Sequence, residues 1–405
     1  MIETLANEPA LNTAWFLVIG LFWTGYLVLD GFDLGVGMLM GRIFARDEKE
    51  RRLLLNTIGP VWDGNEVWLV TAGAATFAAF PFWYGALFSA LYLPLTLLLL
   101  ALILRAVSIE YRGKGSSARW ARTWNGILAV SSGAIAFLIG AALALTTTGL
   151  PLDANGDRIG GAFAWLTWPA VLGGLGFLGF ALVHGLAFLA LKTSGPVQER
   201  AQRALVRLLP VGLLPLAGWV LLVQVRDGVG PTWALTGLAV LGAVLSWAFA
   251  RAGRDGASFA GSAVFLIAGA AAVFLAVFPV VLPTTLAGGA DLTVTSAASS
   301  QYTLKIMTIV GCFGLPVLFL YQGWSYWVFR KRLRTEHIPA STPAPIPTSP
   351  PRPPPVRPPR PSPGVGRPRG PRWGRTLAGP CPHWGSCRRC ARSARCCSAW
   401  AWPCC

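Results

Sequence analysis

Residues 29–40 read LDGFDLGVGMLM, residues 42–52 read RIFARDEKERR, and residues 56–68 read NTIGPVWDGNEVW. Two apolar segments are joined by a short charged turn, and between them they carry Asp30, Asp33, Asp63 and Glu66. A carboxylate at the centre of a bilayer costs about 2.5–3.5 kcal/mol on insertion scales, so acids within apolar spans mark a functional site. Whether these four lie inside a membrane depends on the rest of the chain.

Of the 405 residues, 54% are hydrophobic and only 13% charged, against roughly a quarter charged in soluble domains. Apolar runs of about 20 residues, enough to cross roughly 30 Å of hydrocarbon, occur near 14–41, 58–80, 83–110, 124–147, 165–191, 205–224, 232–250, 258–283 and 304–329. The pattern is that of an all-α polytopic membrane protein with nine transmembrane helices. It divides the chain into an extracytoplasmic N-terminus (1–13), a transmembrane domain (14–335) and a Pro-, Arg- and Cys-rich tail (336–405). The acidic opening and the length of the first apolar run argue for a retained anchor and against a cleaved signal peptide.

The net charge of +17 invites a nucleic-acid reading, but eleven arginines and no acid lie between Arg352 and Arg395, which leaves +6 for the remainder. That remainder is distributed by loop. Basic residues follow the odd-numbered spans: Arg42 to Arg52, Arg112 to Arg122, Lys192 to Arg207, Arg251 and Arg254, and Arg330 to Arg334. The even-numbered loops are nearly bare. By the positive-inside rule the N-terminus lies outside and the C-terminus in the cytoplasm, and no nucleic-acid partner is expected.

Seven of eight cysteines crowd the last 25 residues, and a CxxC at Cys387 and Cys390 near His383 lacks a second pair at ordered spacing. We expect neither a zinc site nor a disulfide framework there. The tail has Arg without Lys and residues of GC-rich codons, the look of a GC-rich gene read out of frame or of a disordered basic segment. Small residues four apart, such as Gly31 with Gly35 and the run Gly173, Gly174, Gly176, Gly179, are read as close helix packing. Pro94 and Pro279 are expected to kink spans three and eight.

Asp30 and Asp33 are three apart and share a helix face. Asp30 falls roughly 24 Å into a span that starts near Ala14; Asp63 and Glu66 open the second span from the opposite direction. The four acids should cluster in the inner half of the membrane. Two readings stand: a proton-conducting or ion-coordinating path, or edge acids that pair with Arg105 and loop arginines. His184, the single histidine within the spans, is read as a packed, hydrogen-bonded residue. Haem iron takes axial His, Met, Cys or Tyr, and with so few candidates the chain is not expected to hold a set of haems or any metal.

GYLVLDGFDLGVGML (25–39), ERRLLLNTIGPVWDGNEVWLVTAGAATFAAFP (50–81), Arg105 with Glu110-Tyr111-Arg112, and FPVVLP (278–283) followed by LTVTSAASSQYTLKIMT (292–308) resemble subunit II of cytochrome bd quinol oxidase. The resemblance runs from about residue 14 to 335, in order. It implies a fold of two four-helix bundles plus one peripheral helix. It implies a heterodimer with a subunit I that carries haems b558, b595 and d and oxidises ubiquinol or menaquinol, and in some complexes a small single-span subunit. No catalytic residue is then expected in this chain, and membrane lipid and quinone surround it. The resemblance also places Asp63 on a hydrophilic proton path between subunits and Asp30 and Asp33 in the GFDxGVG motif; Glu66, which is Gln in some relatives, is the fourth candidate, and Arg105 is the charge partner that the residues themselves offer. A scaffold subunit without proton conduction and a stand-alone secondary transporter are the other two readings. The transporter should show an inverted repeat, and none is visible.

Overall fold

Thirty residues without an internal proline, Ala10–Leu39, form the first helix, α1. The computed structural model describes residues 8–338 apart from 42, 43, 116, 154–156, 288 and 290. It is mostly helical. The tail beyond Ile338, with Cys387, Cys390 and His383, lies outside the described residues.

The charged turn after α1 is itself partly a helix, α2 (Glu48–Ile58). Asp47 caps it by accepting from the Glu50 backbone N–H at 2.8 Å, while the Glu50 carboxylate accepts from the Arg46 N–H at 2.7 Å. This is close to the reciprocal capping box, which satisfies the orphan donors of a helix start. Leu53, Leu54 and Ile58 are fully buried. The expected turn is therefore an amphipathic helix, concealed in the sequence by its density of charge.

Next come α3 (Trp62–Ala79), α4 (Pro81–Ala90) and α5 (Tyr92–Tyr111). Pro94 acts as expected on its span, although as a break: the helix is interrupted at Leu91, one residue beyond Ala90, whose carbonyl the proline ring would meet in a continuous helix. Then follow α6 (Ala118–Thr148), α7 (Trp168–Lys192), α8 (Pro196–Gly212), α9 (Leu214–Asp227), α10 (Gly230–Arg251), α11 (Asp255–Val277) and α12 (Gln301–Val328). Pro279 does not kink a span; α11 has already ended at Val277. Beyond it two short antiparallel strands, β1 (Val280–Leu282) and β2 (Leu292–Thr293), add a feature that an all-α reading omits.

Helix α7 sits at the centre because its glycines let three neighbours approach to backbone contact. A Cβ on Gly185 would lie 2.7 Å from the Gly35 Cα of α1, and one on Gly35 would meet the Ala181 carbonyl oxygen. Gly173 meets Gly140 of α6, and Gly179 meets Gly212 of α8. Where lipid offers no hydrophobic drive between helices, such approach supplies van der Waals contact instead. Gly35→Val is expected to overpack this crossing and cost about 1–3 kcal/mol or more, read as a lower thermal midpoint of the purified protein. Gly73→Ala is the control, since its Cβ would meet nothing within 4 Å; equal midpoints for the two variants would remove the crossing from the account.

Charged connections gather at one end of the helices. There Glu48 pairs with Arg112, Glu50 with Arg200 at 2.6 Å, and Asp255 with Arg332 at 3.0 Å, while Leu333 bonds Lys192 and Ser194. The nearly bare connections gather at the other. Asn12 donates to Val294 O, Ser299 to Ala78 O, and Leu150 and Thr285 bond across the 150–152 and 283–285 segments.

Among the described residues, eight helical stretches are long and apolar enough to cross a membrane. Helix α3, the second of the expected nine spans, is not among them. Asp63, Asn65 and Glu66 in its first turns offset the apolar remainder of its 18 residues.

Candidate functional site

The interior of α1, α3 and α5 holds one guanidinium. Arg105, on α5, is fully buried; its Nη2 donates to Asp30 Oδ1 at 2.6 Å, and its Nη1 lies 3.4 Å from both Asp30 Oδ2 and Glu66 Oε2. Trp62 places its ring 5.9 Å from the guanidinium carbon. Asp30 is fully buried, and the Glu66 side chain is 20% exposed. The fork of Arg105 thus bridges two carboxyls that arrive on separate helices, a geometry a lysine ammonium cannot reproduce.

One turn further along α1, Asp33 enters a second, uncharged arm. Asn65 donates through Nδ2 to Asp33 Oδ2 at 2.6 Å and to Leu29 O at 3.2 Å. Its Oδ1 accepts from Gln322 Nε2 at 2.8 Å and Tyr326 O–H at 2.7 Å, both on α12. Helix α12 buries only Leu304 and Gln322, so these amide and hydroxyl contacts are a substantial part of what ties it to the body. Asp33 Oδ1 and Arg105 Nε are buried and have no hydrogen-bond partner among the described residues. Such groups are costly in a low-dielectric interior.

Of the four acids expected to cluster, the structure brings together Asp30, Asp33 and Glu66 with Arg105. It leaves Asp63 outside: that residue is exposed on α3 and, among the described residues, has no hydrogen bond or salt bridge. Sequence reasoning missed Asn65 as the partner of Asp33, and Gln322 and Tyr326 as the partners of Asn65. The signal for Gln322 was available, since an amide in the apolar run GLPVLFLYQGW is nearly as conspicuous as an acid.

His184 lies apart from this cluster. It is fully buried, its Nδ1 is 2.8 Å from Ser262 Oγ, and its ring stacks on Phe180 and Phe259 with centroids 4.9 and 4.4 Å away. A haem brought to this ring would have to displace the packed phenyl groups around it. Among the described residues no three His, Cys, Asp or Glu side chains gather as a metal site would require. Among the described residues, His184 is thus closed in by phenyl rings and not open to a haem.

A family model described as cytochrome bd terminal oxidase subunit II matches residues 11–329. The chain is 35% identical over 329 residues to the cytochrome bd ubiquinol oxidase subunit 2 of Bacillus subtilis, covering 80% of this chain and 97% of that one. It is 31% identical over 376 residues to the cytochrome bd-I ubiquinol oxidase subunit 2 of Escherichia coli, covering 84% and 99%. Its fold is similar to that of the bd oxidase from Geobacillus thermodenitrificans, with a TM-score of 0.64 and 18% identity over 80% of this chain and all of the other.

Proposed function

The chain belongs to the cytochrome bd terminal oxidase subunit II family, and from that membership we propose that it is the haem-free half of a quinol oxidase heterodimer. It is a subunit of an oxidoreductase complex and a multi-pass membrane protein. In the proposed complex, subunit I binds haems b558, b595 and d and oxidises ubiquinol or menaquinol, with O2 reduced to water. This chain contributes helices and a route for protons. The packing of His184 supports assigning the haems to the partner. Purified apart from that partner, the chain is expected to carry no haem; a full complement of three in the isolated chain would overturn the assignment.

In this reading α3 is a span as well and brings the number to nine, and the N-terminus faces outward with the basic end of the molecule in the cytoplasm. Support comes from the segregation of loops: Ala78 at the end of α3 bonds Ser299 among the bare connections, while its start adjoins the basic α2. Two four-helix bundles plus a peripheral helix fit the position of α12, which touches the body mainly through α1 and α3.

The observation that carries the proton route is a gradient of exposure toward the guanidinium. Asp63 is exposed, Glu66 one turn on is partly exposed and touches Arg105, and Asp30 beyond Arg105 is fully buried with Asp33 one turn away. Two carboxyls contact the guanidinium and Asp33 lies a turn away, so the cluster holds three acids against one cation, an excess that exchangeable protons can balance. Asp63 is the entry from the cytoplasm, Glu66 the next carrier, and Asp30 and Asp33 the interior members. The scaffold reading has its own support in the Arg105 to Asp30 pair, which joins α5 to α1 whether or not protons move. Truncation after Pro339 is expected to leave assembly and O2 consumption unchanged, because the tail lacks any periodic apolar face to bury; loss of the complex on truncation would make it an interaction element.

A further inference from the structure

A groove of about 960 Å³ runs between α5 and α6 on the outside of the molecule, and neither the carboxyl cluster nor His184 lines it. Its walls are largely apolar, with Leu97, Leu100 and Leu104 on α5 and Val130 and Phe137 on α6. Gly126 also lines it, exposed, where a Cβ would meet nothing within 4 Å. From Arg122 to Leu138 the groove follows sixteen residues of α6, about 24 Å at 1.5 Å per residue. That exceeds the roughly 15 Å of hydrocarbon in one leaflet, so an extended acyl chain can lie along it throughout.

The mouth of the groove is cationic. Arg122 lines it at the basic end of the molecule, exposed, with Nε on the Ala118 carbonyl at 3.2 Å and no carboxylate paired to it among the described residues. Arg119 lies one turn away, and Lys114 rests over the Tyr111 ring at 4.1 Å. Trp120 and Trp124 pack edge to face at 5.5 Å beside them, with the Trp120 N–H on Tyr111 O at 3.0 Å. Amphipathic indoles of this kind sit at headgroup depth. A guanidinium without an acid, beside interfacial tryptophans and above a long, largely apolar slot, matches an anionic headgroup with an acyl chain beneath it. We propose that this groove is a binding site for an anionic phospholipid, its phosphate on Arg122 and one chain between α5 and α6.

The test uses the complete oxidase with its partner subunit, transferred into nanodiscs of phosphatidylcholine with or without phosphatidylglycerol. Lipid retained after detergent exchange is quantified by mass spectrometry. The wild-type complex should retain phosphatidylglycerol in preference to phosphatidylcholine. One arginine near an anionic headgroup contributes about 1 kcal/mol, so Arg122→Gln should weaken that preference about fivefold. Gly126→Leu should fill the groove and remove the retained lipid of either kind, with haem spectra unchanged as evidence of an intact complex. Equal retention of the two lipids by the wild type, or an unaltered preference in Arg122→Gln, would overturn the proposal. So would loss of a small protein subunit, and not of lipid, from Gly126→Leu, because the groove would then hold a helix.

Discussion

Arg105→Leu is expected to abolish accumulation of the assembled oxidase. The substitution leaves Asp30 fully buried with no cation and removes the Glu66 contact at 3.4 Å. Breaking one side of a buried ion pair costs about 3–5 kcal/mol, a large part of the roughly 5–15 kcal/mol by which folded proteins are stable. Leucine also offers no substitute for the forked contact that ties α5 to α1 and α3. The measurement is the haem difference spectrum of membranes, which reports assembled complex. Replacing the whole set, with Asp30→Asn and Glu66→Gln added to Arg105→Leu, should restore part of the signal, because neutral groups need no counter-charge. Normal haem content in the single variant would mean that the Arg105 pair does not hold the helices together. Arg105→Lys should fall between, since an ammonium cannot reach both carboxyls in the bidentate manner of the guanidinium.

Asp63→Asn is expected to do the opposite: assemble normally and turn over slowly. Asp63 is exposed on α3 and has no hydrogen bond or salt bridge among the described residues, so asparagine at this position should change stability by no more than about 0.5 kcal/mol. Haem spectra should persist. Loss of a proton-transferring side chain typically costs on the order of 10²-fold or more in rate, and O2 consumption at saturating quinol should fall on that scale. Asp63→Glu should recover most of it. Unchanged turnover in Asp63→Asn would leave the residue outside any proton route, and loss of haem would instead assign it to the contact with the partner subunit. The clean separation of outcomes depends on where this acid lies. The same substitution at Asp30 mixes the two effects, because that carboxylate also binds Arg105.

Why Asp63 and Glu66 part company is a matter of helix phase. They are three apart on α3, which suggests a shared face. At 100° per residue, however, Asn65 is about 100° from Glu66 and about 160° from Asp63. The inward face is centred near the fully buried Asn65, so it takes Glu66 at its edge and turns Asp63 outward. Nothing in the spacing alone says which of the polar residues points inward. That choice is made by Asp33, Gln322 and Tyr326 converging on one amide from two other helices.

The sequence by itself determined eight of the apolar spans, the segregation of basic from bare connections, and the presence of acids within apolar segments. Each follows from length and composition against the cost of placing charge in hydrocarbon. It also carried the family, through WDGNEVW and its neighbours. Tertiary structure decided that Arg105 meets Asp30 across 75 residues and that Asn65 joins α12 to α1. It decided as well that the charged segment after α1 is a buried-faced helix. These depend on where helices cross, and the crossings depend on the pairing of small residues such as Gly35 with Gly185. A glycine in a sequence states that a backbone can come close; only the packed helices state which one does.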